Sequence, residues 1–331
     1  QLFSSFRLSE HKVAGVCTTW SHAYSRQLRR CRYVDPRRVR QLADVPKHPC
    51  GLCMLPGGVL ATTSSDFDSN SSVNFVAARN DSDPQALATC RASSLAARRF
   101  ECLTGLALTN DGLLACSFAS GLASAALIKL AKDGSMDELA TVPALADYEG
   151  GFTRCAVHQQ TQRTYAIGSN EGSQALVILD ANLQVVATVE GTDVVPDEFD
   201  GDYEPIRDVA VHGDQVIVLT SIDHDKSDGL RLLDLDGRFL RNIAAGRFRN
   251  PQAVTAAHGR AFVVDDDDGV SDVSLGKLLH VIDIQSGDIL HRVRVDLQGE
   301  VTAICVDGEQ IFIADVDASK VAVLRFAGSE A

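Results

Sequence analysis

From residue 50 onward one pattern recurs: a short apolar strand, a tight polar turn, and a second apolar strand. It reads GLCMLPGGVLATT from Gly51, GLALTNDGLLACS from Gly105 and RCAVHQQTQRTYAIG from Arg154. It returns as DVAVHGDQVIVLT from Asp208, AVTAAHGRAFVVD from Ala253 and AICVDGEQIFIAD from Ala303. Successive starts lie 54, 49, 54, 45 and 50 residues apart, with no helical period between them. Alternation and β-branched content mark these runs as strands. A unit this short cannot bury its own apolar faces, so repetition of it requires neighbours stacked in series.

Each unit goes on to a third strand, as in LVILD (176–180), LRLLD (230–234), LLHVIDI (278–284) and KVAVLRF (320–326). A fourth follows in ALATC (86–90), ELATV (138–142), VVATV (185–189), RFLRNIA (238–244) and ILHRVRV (289–295). Four strands per unit make a propeller blade, and the pattern predicts an all-β fold: a six-bladed β-propeller over 50–327, with a short N-terminal helical segment. Six units supply only five fourth strands downstream. The missing one is expected from VRQLADV (39–45), which would lie outside the third strand of the last unit and close the ring. A plain linker there is the competing reading.

The stretch DLDGRFLRNIAAGRFRNPQAVTAAHGRAFVVDD (234–266) resembles an NHL repeat, with a Gly-turned strand, an Asn-Pro start and a strand ending in Asp. The last unit is similar, and the first three match loosely.

Residues 1–30 differ in kind. Ser9 is placed to cap a helix with Glu10 in its first turn. Val13, Val16, Cys17 and Trp20 then fall at helical spacing, after an apolar cluster at Leu2, Phe3, Phe6 and Leu8. The string LFSSFRLSEHKVAGVCTTWSHA resembles the second half of an F-box, whose opening Leu-Pro helix is missing here; a packed helical extension is the alternative. The resemblance implies a link to a cullin-adaptor subunit, with Leu2, Phe3, Leu8, Val16 and Trp20 divided between holding the helices and meeting that partner. Residues 31–49 would be connection and ring-closing strand.

Charge divides the chain. Residues 1–48 carry ten Lys/Arg against three Asp/Glu, and the rest carries 21 against 41, a local excess of −20 within an overall −13. Nucleic acid would be repelled by the larger part. Its carboxylates concentrate in the loops joining second to third strands and fourth to next first strands, which share one face of a propeller. Asp197, Glu198, Asp200, Asp202, Asp223, Asp225, Asp265 and Asp267 are the expected acidic face, suited to a protein partner with a basic segment.

Hard carboxylate oxygens also suit calcium, but DHDKSDG (223–229) and DDDDG (265–269) lack the spacing of a calcium loop, so no cofactor is expected. The enzymatic alternative is a calcium-dependent lactonase or esterase similar to the gluconolactonase-like propellers. Those hold a metal on a Glu, an Asn and an Asp from different blades. HPCGLC stands here where the glutamate would be, and Arg154-Cys155 where the Asn would be. These departures weigh against an enzyme. Cys50-Gly51-Leu52-Cys53 has no second pair to complete a zinc site and no helix to activate a thiol, so strand cysteines are expected.

Nine scattered cysteines, an odd number in a large chain, fit a reducing compartment, the cytoplasm or also the nucleus. No run of eighteen apolar residues is present to span a membrane. Gln1 rather than Met opens the sequence, which leaves room for an upstream segment. The leading expectation is a non-catalytic protein-binding propeller, a candidate substrate-recognition subunit of a cullin-type ubiquitin ligase. A scaffolding propeller without that link is the further alternative.

Overall fold

A computed structural model describes residues 34–42, 45–64, 71–78, 86–91, 102–118, 126–131, 138–143, 151–170, 173–191, 206–220, 229–266, 276–297 and 299–326. The helical segment expected over 1–30 lies outside these residues.

The described residues form 24 strands. In chain order the units are β2 (Pro49–Leu55), β3 (Val59–Ser64), β4 (Ser72–Ala77) and β5 (Ala86–Arg91), then β6 (Cys102–Leu108), β7 (Gly112–Phe118), β8 (Ala126–Ala131) and β9 (Glu138–Pro143). β10 (Gly151–His158), β11 (Arg163–Asn170), β12 (Ser173–Leu179) and β13 (Val185–Glu190) follow, then β14 (Ile206–His212), β15 (Gln215–Thr220), β16 (Gly229–Asp234) and β17 (Phe239–Ile243). The last two are β18 (Pro251–Ala257), β19 (Arg260–Asp266), β20 (Lys277–Asp283) and β21 (Ile289–Val295), and β22 (Val301–Asp307), β23 (Gln310–Asp315) and β24 (Lys320–Phe326). β1 (Val34–Leu42) pairs antiparallel with β24, with Arg40 opposite Val323 and Leu42 opposite Val321. It therefore starts earlier than the expected stretch 39–45. Pro36, which has no N–H to give a ladder, falls where the register shifts between Asp35 and Arg40.

The ladders divide these strands into four separate four-stranded sheets and one of eight. The six expected four-stranded blades are therefore not all separate in the ladders. The eight-stranded sheet contains two four-stranded meanders, β6–β9 and β10–β13, joined by one residue pair, Gly151 opposite Phe118.

Stacking explains the sequence of the middle strands. Leu176, Val177, Ile178 and Leu179 in β12 and Val216 to Leu219 in β15 are fully buried, because neighbouring sheets cover both faces. Such strands read as unbroken apolar runs rather than alternation. Outer strands such as β13 remain largely exposed. Six apolar clusters occupy the junctions between successive four-stranded units. They run from Leu106 against Phe75 to Leu60 against Phe312, which packs the first unit on the last. The innermost strands β2, β6, β10, β14, β18 and β22 touch in that cyclic order, β22 returning to β2 around a central channel.

The third-to-fourth strand turns show why Asp recurs there. Asp180 Oδ1 accepts from the N–H groups of Asn182 and Gln184, each at 2.9 Å. Asp234 Oδ1 does the same for Asp236 and Arg238, and Asp283 Oδ1 for Gln285 and Ser286. A carboxylate at the end of the third strand satisfies turn donors that no ladder reaches.

Candidate functional site

The channel is built from the innermost strands, and each of them is irregular at the same place. Register shifts fall between Pro49 and Gly51, Leu103 and Leu106, Phe152 and Arg154, Ile206 and Asp208, Pro251 and Ala253, and Val301 and Ala303. A bulge turns the extra residue out of the ladder. Several of these residues reach the next unit instead. Thr302 Oγ1 donates to the Pro49 carbonyl at 2.9 Å, Thr104 Oγ1 to the Phe152 carbonyl at 3.4 Å, and Gln252 Oε1 accepts the Val301 N–H at 3.0 Å.

Just beyond the bulges lie the two charged residues of the channel, Arg154 and Asp208. Asp208 stitches two units together: Oδ1 accepts the N–H of its neighbour Val209 and Oδ2 that of Val254 in β18, both at 2.8 Å. Burial pushes its carboxyl up to about 6, although the Arg154 charge and both N–H bonds favour the anion. Arg154 Nη1 donates to the Thr153 carbonyl at 2.8 Å, while its Nε is buried without a partner among the described residues.

Arg154 lines two cavities. One, of about 440 Å³, runs down the channel past Cys50, Cys53, Cys155, Asp208 and Cys305. The other, of about 480 Å³, opens at the mouth among Thr104, Thr153, Ser169, Gln174, Arg207 and Glu300. Burial raises the Cys53 thiol to about 12 and that of Cys305 well above its ordinary value. For Cys155 the hydrogen bond with Cys116 leads, with burial next. These thiols stay protonated and weakly nucleophilic. Cys50 and Cys53, the C-x-x-C of the sequence, are both buried in β2 as strand cysteines.

Of the expected acidic face, Asp265 is the residue that lies among those described, and it is not presented to solvent. It is 2% exposed, receives the N–H groups of Arg249 and Asn250 at 2.8–3.2 Å, and has His280 Nε2 at 3.3 Å without hydrogen-bond geometry. Asp265 was expected among the carboxylates of the exposed loops. Asp265 instead ends a strand and holds the Asn250-Pro251 segment that opens its own unit, the arrangement behind the NHL-like pattern. Asp315 is likewise fully buried and accepts the Ala318 N–H at 3.0 Å. Asp197, Glu198, Asp200, Asp202, Asp223, Asp225 and Asp267 lie outside the described residues, as do Leu2, Phe3, Leu8, Val16 and Trp20. Among the described residues no group of three or more His, Cys, Asp or Glu is placed to hold a metal ion, and no helix is long and apolar enough to cross a membrane.

Sequence reasoning missed the Arg154–Asp208 pair. The signal was present, since both open a repeat unit at a position where other units carry Gly or Ala.

No family model matches the chain, and no curated protein matches it in sequence. Solved structures do. A chain of hydrazine synthase from Kuenenia stuttgartiensis is similar with a TM-score of 0.56 and 16% identity, over 86% of this chain and 78% of that one. The WD40 β-propeller domain of Doa1 is similar with a TM-score of 0.55 and 11% identity, over 90% and 98%. A chain of the nidogen–laminin complex gives 0.52 and 10%, over 75% and 80%. At such identities the likeness shows the fold, and the fold is a β-propeller.

Proposed function

We propose that this propeller is a non-catalytic protein-binding module, and that its ring counts six blades. Six junction clusters and six inner strands in cyclic order support that count, with the eight-stranded sheet taken as two blades. The observation that carries the binding reading over the lactonase one is the use made of Asp208. A metal-dependent hydrolase needs channel carboxylates free to hold an ion. Among the described residues the carboxylate lining the channel is Asp208, and each of its oxygens accepts a backbone N–H, an arrangement that holds two units together. A protein partner accords with the similar structure being a chain from a protein–protein complex, nidogen with laminin.

The partner side is the face bearing the 191–205, 221–228 and 267–275 loops, whose carboxylates favour a basic segment and give salt-sensitive association. Segment 1–30 would tie the module to a cullin adaptor through Leu2, Phe3, Leu8, Val16 and Trp20.

The test is capture of a fluorescent Lys/Arg-rich peptide. Binding should weaken with salt, and should weaken again when Asp197, Glu198, Asp200 and Asp202 are replaced by Asn and Gln, with an unchanged melting temperature. A calcium-dependent rise in melting temperature together with lactone or ester turnover would reverse the reading in favour of the enzyme. Failure to co-elute with a cullin adaptor would remove the ligase link and leave the binding module standing.

A further inference from the structure

Arg154 stands at the neck between the two cavities with more donors than acceptors around it. A guanidinium carries five N–H donors and no acceptor. One bond, to the Thr153 carbonyl, is made, and the Nε is buried with nothing among the described residues to receive it. A buried donor left in that state is costly, so the site calls for an acceptor. Asp208 does not supply it. No ion pair within 4.0 Å joins the two among the described residues, and each Asp208 oxygen is turned to a backbone N–H instead.

Arg207, on the next inner strand, is exposed at the same mouth cavity of about 480 Å³, a size that takes a small ligand or the end of a chain. Thr104 and Thr153 add hydroxyls to the lining, and Glu300 closes the opposite side with a carboxylate.

We propose that the channel mouth is a carboxylate-binding site, with Arg154 taking the carboxylate oxygens and Arg207 attracting the group from the rim. The planar guanidinium fork matches a carboxylate in two parallel bonds. Glu300 at the mouth and Asp208 in the channel offset the two arginines, so a doubly charged phosphate would meet more repulsion from these carboxylates than a singly charged carboxylate would. The carboxylate can come from a free small acid or from the C-terminus of a polypeptide. The assignment does not depend on the acidic loops and stands or falls apart from the basic-partner reading.

The experiment titrates the ¹⁵N-labelled protein with four probes: acetate, N-acetyl-Gly-Ala with a free carboxylate, the same dipeptide amidated, and inorganic phosphate. The Arg154 Nε–H resonance, identified by its absence in Arg154→Gln, should shift with acetate and with the free-acid dipeptide and stay still with the amide. Tighter binding of the dipeptide than of acetate assigns a chain terminus as the source; the reverse assigns a small acid. Arg154→Gln should weaken binding by about tenfold or more. Should Arg154→Gln fail to fold, Arg207→Gln at the exposed position reads the same loss, expected to be smaller. An unmoved Nε–H signal, equal response to the amidated probe, preference for phosphate, or unchanged affinity in the variants would each overturn the assignment.

Discussion

At the turn end of the innermost strands, neighbouring units are linked by tight-turn residues. Gln159 Nε2 donates to the Leu108 carbonyl at 2.8 Å, Gln162 Oε1 accepts the Asn110 N–H at 2.7 Å, and His212 Nε2 accepts the Gly259 N–H at 3.1 Å. At the mouth end the same units are linked by bulged strand residues, through Thr302, Gln252 and Asp208. The turn end closes the ring with its own short loops and has space beside them. The mouth end packs backbone against backbone, encloses charge, and leaves the Arg154 Nε buried without an acceptor among the described residues. Two ends of one strand can thus serve one architecture while only one of them is equipped to bind.

The largest effect should come from glycines. A Cβ on Gly51, at the mouth end, would stand 2.2 Å from the Thr104 carbonyl oxygen and 2.8 Å from Thr63 Oγ1, which itself bonds that carbonyl at 3.0 Å. Backbone of the next unit cannot yield as a side chain can, so Gly51→Val should cost about 3 kcal/mol or more. Gly213, at the turn end, has φ +54° and nothing within 4 Å of such a Cβ. Gly213→Ala meets the left-handed penalty alone, about 1 kcal/mol. Urea unfolding of both variants checks the contrast, and equal costs would erase it.

Asp208 should give the next largest effect, visible as a pH dependence. Its folded pKa is raised from the ordinary 3.8 to about 6, with burial as the main cause. The folded chain then holds this proton more tightly than the unfolded chain. The stability it contributes is full below about 3.8, is lost as pH rises toward 6, and is constant above. At about 1.4 kcal/mol per unit, wild type should lose about 2–3 kcal/mol over that interval relative to Asp208→Asn, which has no such proton. A difference that stays flat from pH 4 to pH 7 would show that Asp208 sits in a wetter channel than its 7% exposure implies.

Much of this architecture was legible because the repeat is strongly patterned. Strand pairs, hairpin turns and the third-strand runs read directly as elements, since apolar residues and turn residues alternate on a fixed scheme. β1 was half legible: VRQL carries a strand pattern, but VDPRR in front of it is basic and holds a proline, and it pairs because it lies at an edge where Pro36 can sit in an irregularity. The site was less legible. Burial decides whether an Asp in a sequence is a solvated turn or a stitched core group, and burial follows from which loop packs above it. In the sequence Asp265 ends a strand run and Asp208 opens one, but Asp265 meets N–H groups fifteen and sixteen residues away and Asp208 one from forty-six away. The partner of Asp208, forty-six residues on, lies outside any window of local sequence.

The smallest effect belongs to the turn end, at His212. Burial lowers its pKa, and His258 lowers it further. Its Nε2 accepts the Gly259 N–H, so the neutral ring must carry its proton on Nδ1, and a charged ring has no lone pair left to accept. Because the folded value lies below the unfolded one, the stability His212 contributes is present above about pH 6.5 and is lost as pH falls through that value. The ring is only partly buried, so solvent screening keeps the loss below about 1 kcal/mol. His212→Gln keeps an oxygen able to accept from Gly259 and removes the titration. Its stability relative to wild type should therefore improve slightly between pH 8 and pH 5, while binding at the mouth is unchanged. Nitrogen chemical shifts of the His212 ring check the tautomer directly, and a proton found on Nε2 at pH 8 would break the link between the inner turns of the fourth and fifth units.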